Sequence, residues 1–109
     1  MRKLFRRSIQ ILILLGLTAP MVMQAESDAA KIFKTNCVMC HAADGSGDTP
    51  PGKALKAKDL RSDEVQKLND AALSEVITKG KGKMPAFGAK VAPDDVTKLV
   101  AYIRQLPKK

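Results

Sequence analysis

Apolar positions in this chain fall into one unbroken block near the start and then into short runs of helical spacing, with no alternating run of the kind a strand needs. Val96, Leu99, Val100, Ile103 and Leu106 stand at offsets 0, 3, 4, 7 and 10. That spacing predicts a single apolar stripe on a helix beginning at Pro93, where a fixed φ suits the first helical position. Asp94 and Asp95 complement the dipole there, and Pro107 stops the helix. Leu73, Val76 and Ile77 predict a second helix, capped by Asn69 or Asp70 and ended by Gly80 in a left-handed conformation. Ser27 or Asp28 caps a third, which carries Ile32 and Phe33. Residues 62–68 read as one or two helical turns. Residues 42–52, rich in Gly, Asp, Ser and Pro, read as a loop.

The unbroken block has a different meaning. Residues 1–7 carry Arg2, Lys3, Arg6 and Arg7 without an acid, and residues 9–17 are apolar except for Gln10. Met23-Gln24-Ala25 then ends the region on a small residue, so residues 1–25 are expected to be a cleaved secretory signal and residues 26–109 one domain. The apolar run contains Pro20 and falls short of the roughly 20 residues that span a bilayer, which argues against an anchor and against stable membrane insertion. Removing 25 of the 109 residues leaves 84; it takes four of 19 basic residues and leaves 15 against 11 acidic ones, a formal charge of +4. Such a balance does not call for a nucleic-acid partner.

An 84-residue domain whose only aromatics are Phe33, Phe87 and Tyr102 has little from which to build a core. Domains of this size bury only about 60% of the surface exposed by the unfolded chain. Some further staple is expected.

Cys37-Val38-Met39-Cys40-His41 supplies it. The motif holds the only two cysteines and the only histidine in the chain. Two thiols separated by two residues can each add across one vinyl group of a haem, and the adjoining imidazole then reaches the iron. A structural zinc site wants four ligands where this motif offers three. A thioredoxin-like redox pair belongs beside a βαβ pattern, which is absent here. The sixth ligand follows by elimination among five methionines. Met1, Met21 and Met23 leave with the signal, and Met39, fixed between the cysteines, cannot reach the opposite face of the ring. Met84 remains, in Gly80-Lys81-Gly82-Lys83-Met84-Pro85-Ala86-Phe87, where glycines allow close approach and Pro85 stiffens the segment.

On these motifs the chain resembles the class I c-type cytochromes, specifically the short bacterial monohaem carriers, over residues 28–106. The resemblance implies an all-α fold of short helices around one covalent haem c. In it, Phe33 of the first helix crosses Leu99 and Tyr102 of the last, with Ala29 standing where the family often has glycine. It also implies that a proline carbonyl accepts the proton of the other His41 ring nitrogen; Pro50 and Pro51 are the candidates, and Pro51 is the choice.

Histidine and methionine together fill both axial positions, so outer-sphere electron transfer is the expected task and no enzymatic activity is expected. Lys53, Lys56, Lys58, Lys79, Lys81 and Lys83 could rim the exposed haem edge and steer an acidic redox partner, with Asp59, Asp63 and Glu64 diluting the patch. The expected protein is a monomeric periplasmic carrier exported by the general secretory route. A haem subunit of a larger oxidoreductase is the alternative. A haem sensor or peroxidase-like protein would have to release Met84.

Overall fold

The computed structural model describes residues 27–108, together with Gly16. The expected signal, residues 1–25, lies outside the described residues apart from that glycine. Six helices follow in order: α1 (Asp28–Asn36), α2 (Val38–His41), α3 (Pro50–Leu55), α4 (Asp63–Gln66), α5 (Asp70–Lys79) and α6 (Pro93–Arg104). Among the described residues there is no strand, only an isolated antiparallel bridge between Lys81 and Met84.

The helix starts are set by side chains that satisfy backbone N–H groups left without partners in the first turn. Ser27 accepts from Ala30 N at 3.1 Å, and Asn69 accepts from Ala72 N at 2.8 Å. Ser62 does the same for Val65 N on α4. Thr49 caps α3 by accepting from Gly52 N at 2.9 Å, with Pro50 and Pro51 in the first turn. This helix departs from the loop expected over residues 42–52. The glycine and proline content obscured a cap followed by a proline, which is itself a start signal.

Two helix ends also differ from expectation. Gly80 has φ 76° and ψ 172°, an extended conformation with positive φ, and it still donates to the Val76 carbonyl at 2.8 Å. α6 ends at Arg104, so Leu106 is buried beyond the helix rather than on it.

The α1/α6 crossing orders the fold. Ala29 and Phe33 are buried on α1, and Phe33 is only 1% exposed. Its ring meets Tyr102 with centroids 5.1 Å apart and planes at 46°, a tilted aromatic pair. The core continues through Val65, Leu73, Ile77, Val91, Val96, Leu99, Val100 and Ile103. Arg104 locks the far end of α6 to the turn before α5. It donates to Gln66 O at 2.7 Å, to Leu68 O, and to Asp70 Oδ1 at 2.9 Å.

Candidate haem cleft

These helices leave open a cleft of about 500 Å³, within the range of roughly 300–1,000 Å³ typical of ligand pockets. Its lining includes Cys37, Cys40 and His41 from the α1–α2 segment, and Met84, Pro85 and Phe87 from the loop after α5. The structure therefore brings together the four residues expected to hold a haem. Seven of the nine core residues also line the cleft, namely Phe33, Val65, Leu73, Ile77, Val91, Leu99 and Ile103. Core and site are thus largely one apolar surface.

His41 is prepared as a ligand by its surroundings. Its Nδ1 lies 3.0 Å from the Lys58 carbonyl. A carbonyl can only accept, so Nδ1 carries the proton and Nε2 is left with its lone pair. Burial lowers the imidazole's pKa from its usual value, against the opposing pull of the Lys58 bond. The ring is accordingly neutral at neutral pH, as ligation requires.

This bond corrects the expectation for Pro51. Pro50 and Pro51 form the first turn of α3, where carbonyls are directed along the helix axis toward residues four further on. The chain instead returns to His41 at Lys58, after Lys56 turns it with φ 54° and ψ 45°. A backbone carbonyl belongs to every residue type, so nothing in the sequence distinguished this one.

The cysteines sit on a firmly held backbone. Thr49 Oγ1 donates to the Met39 carbonyl at 2.6 Å while also capping α3. Gly52 packs so closely on the motif that a Cβ there would lie 2.1 Å from the Cys40 carbonyl oxygen. Thr49 went unrecognised in the sequence, although its place before Pro50 was the available signal. Both cysteines are free and half-buried, and burial pushes the Cys37 thiol up to about 11. Such a thiol is no thiolate at neutral pH. Among the described residues no group of three or more His, Cys, Asp or Glu could hold a metal ion. The donor set of two thiols, one bare imidazole nitrogen and one thioether around an apolar cleft fits a haem plate.

The lysines divide into two groups. Lys53 pairs with Asp48 at 2.9 Å, Lys58 with Glu64 at 3.1 Å and Lys79 with Glu75 at 3.5 Å. Lys56, Lys81 and Lys83 line the cleft, and no carboxylate of the described residues pairs with them. Beside them on the lining stand Met39, 73% exposed, and Leu55, 44% exposed. No helix among the described residues is long and apolar enough to cross a membrane.

Comparison with known proteins agrees with this fold. A family model described as cytochrome c oxidase, cbb3-type, subunit III matches residues 24–103. Cytochrome c6 of Gloeothece citriformis (strain PCC 7424) is 32% identical over 111 residues, covering 100% of this chain and 98% of that protein. Cytochrome c6 of Microcystis aeruginosa is 36% identical over 76 residues, covering 70% of this chain and 90% of that protein. The solved structure of the KustC0563 c-type cytochrome superposes with a TM-score of 0.68 at 33% identity, covering 76% of this chain and 100% of that one. Cytochrome c6C from Synechococcus sp. PCC 7002 does so with a TM-score of 0.57 at 27% identity, covering 72% and 93%. With a helical fold, an apolar cleft and these relatives, the chain belongs to the cytochrome c family, as a small class I monohaem electron-transfer cytochrome with one covalent haem c.

Proposed function

We propose that Cys37 and Cys40 would hold the haem as thioethers, that His41 Nε2 and the Met84 thioether would hold its iron, and that the protein is a free periplasmic electron carrier rather than an enzyme. The observation that carries this reading is the shared lining of the cleft, where His41 has Nε2 bared by its Lys58 bond and Met84 is half-buried. When bound, haem supplies a one-electron ferric/ferrous couple. With His41 and Met84 both holding its iron, no position would be left for substrate, oxygen or peroxide.

The chain's own residues would set the potential by opposing influences. A neutral thioether at Met84 favours ferrous iron, and the apolar walls disfavour the extra charge of the ferric state. The Lys58 carbonyl works the other way, because a hydrogen bond to Nδ1 makes His41 a stronger donor. Both ligands are tied to fixed backbone, so little rearrangement accompanies a change of oxidation state.

Docking is the second part of the proposal. Lys56, Lys81 and Lys83, free of carboxylate partners among the described residues, beside exposed Met39 and Leu55 make an apolar patch with a positive rim. Such a face suits a transient complex with an acidic redox protein, formed by a monomer. Lys53, Lys58 and Lys79 contribute less, since each is already paired.

The test is an absorption spectrum and midpoint potential for purified holoprotein and for Met84→Ala. The variant should lose the near-infrared charge-transfer band of ferric Met-ligated haem, show a lower potential and bind carbon monoxide readily. An unchanged band and potential would assign the sixth position elsewhere. A second reading, as a haem subunit of a larger oxidoreductase, draws on the oxidase-subunit description of the matched family model. Co-purification with a large partner that survives high salt would favour it over the free carrier.

A further inference from the structure

The loop carrying Met84 is closed at both ends on the last turn of α5. Gly80 N donates to Val76 O at 2.8 Å, Phe87 N to Ile77 O at 2.9 Å and Gly88 N to Thr78 O at 3.1 Å. The Gly80 bond is the last of the helix itself, and two carbonyls that the helix end leaves without partners, those of Ile77 and Thr78, are taken by the far end of the loop. Between those ends, Lys81 N donates to Met84 O at 3.1 Å and Met84 N to Lys81 O at 3.0 Å, closing a tight turn around Gly82 and Lys83.

The two glycines of this loop differ in what surrounds them. At Gly80 a Cβ would lie 2.6 Å from the Met84 carbonyl oxygen, and 2.9 Å from both Ala86 N and Pro85 C. All three atoms are backbone of the segment that carries the thioether, so relief requires that segment to move. The Gly80 conformation, φ 76° and ψ 172°, also falls in a region that residues other than glycine enter only under constraint, as Ala42 does after the Cys37–His41 motif at φ 64° and ψ 163°. Gly82 has φ 56°, a left-handed value that asparagine tolerates, and a Cβ there would meet nothing within 4 Å.

We infer that Gly80 is the positioning residue for the sixth ligand: its missing side chain lets the Met84–Pro85 backbone fold onto the end of α5 and so holds the thioether at the haem cleft. Gly82 merely turns the chain. The inference rests on the ligand role proposed for Met84, and it adds a requirement on a residue outside the cleft lining.

The experiment compares Gly80→Ala, Gly82→Asn and Met84→Ala holoproteins. Gly80→Ala should lose most of the near-infrared band, with about a tenfold or greater shift from Met-bound to Met-released protein, the order expected for a side chain forced into this region. It should bind carbon monoxide, and its potential should fall toward that of Met84→Ala. Gly82→Asn should keep the band and the wild-type potential. A second measurement separates positioning from general support of the fold. With excess imidazole occupying the sixth position, the Met84 loop is displaced in every protein, and the stability gap between Gly80→Ala and wild type should close. A gap that persists undiminished in imidazole, or failure of Gly80→Ala to assemble even with imidazole present, would overturn the inference. So would retention of the band in Gly80→Ala alongside its loss in Met84→Ala. Retention of the band in Met84→Ala would instead remove the ligand assignment, and the inference with it.

Discussion

Phe33→Ala offers the sharpest test of how the fold supports the site. Phe33 is 1% exposed, sits at the α1/α6 crossing and forms the tilted pair with Tyr102. Truncating a buried phenylalanine typically costs about 3–5 kcal/mol, counting both the lost transfer energy and the cavity left behind. The aromatic pair adds about 0.5–1.5 kcal/mol beyond its area. Here the crossing helix cannot collapse freely into the space, because α6 is anchored at its far end by Arg104. We therefore expect a loss of about 4 kcal/mol. At about 4–8 °C per kcal/mol for a domain of this size, the melting temperature should fall by roughly 20 °C.

The assay is thermal and guanidinium unfolding of ferric holoprotein, followed by far-ultraviolet circular dichroism. Phe33→Leu, which keeps much of the volume, should lose only about 1–2 kcal/mol. Phe33 also lines the haem cleft, so the void admits water beside the haem. Water there eases the ferric charge, and the potential of Phe33→Ala should fall. A loss below about 2 kcal/mol for Phe33→Ala, or a potential that does not move, would refute this account of the crossing.

Three further outcomes are expected. Cys37→Ala plus Cys40→Ala protein made without haem should show no cooperative thermal transition by circular dichroism. Lys81→Ala plus Lys83→Ala ferric holoprotein should keep the near-infrared band of Met-ligated haem at neutral pH, since Met84 and neither neighbouring amine is the proposed ligand; loss of the band in that variant would assign the sixth position to a lysine. Hydrogen bonds from Ser46, first its side chain and then its backbone N–H, hold the Asp44 carboxyl below the usual carboxylate range. A folded pKa below the unfolded one contributes stability that is complete above the unfolded value of about 3.9 and is lost as the pH falls through the folded value. Asp44→Asn should therefore melt below wild type at neutral pH, with the difference shrinking as the pH falls below about 4 and vanishing only below the lower folded value.

What could be read from the sequence was whatever a side chain announces. The apolar stripe placed α6 at Pro93, and the Cys37–His41 motif with Met84 named the donor set that the structure gathers around one cleft. Ser27 and Asn69 announced their helices by hydroxyl and amide oxygens. Backbone partners left no such mark. The Lys58 carbonyl, which orients His41, could not be told from that of any other residue, and the proline carbonyl favoured by the resemblance was taken up in a helix that Thr49 starts. Glycine behaved similarly. Gly80 and Gly82 look alike as letters two places apart, and only the packing of Met84, Pro85 and Ala86 separates them.

The same reasoning explains why haem belongs to the core rather than to the surface. Were the cleft of about 500 Å³ left as an unrelaxed void, the cavity cost of about 24 cal/mol per Å³ would reach on the order of 12 kcal/mol, an upper bound because the cleft is open and its walls can close. Even half of that rivals the whole stability of a typical domain, about 5–15 kcal/mol. Phe33, Leu73, Ile77, Leu99 and Ile103 all turn toward this space as well as toward one another. A chain with so few large apolar side chains can hold them in that arrangement only if a large apolar plate fills the middle. The residues that make the redox centre dry are then the residues that make the protein fold. Polar substitutions at these positions should therefore change potential and stability together, whereas changes at Lys56, Lys81 and Lys83 should alter partner docking while leaving stability nearly untouched.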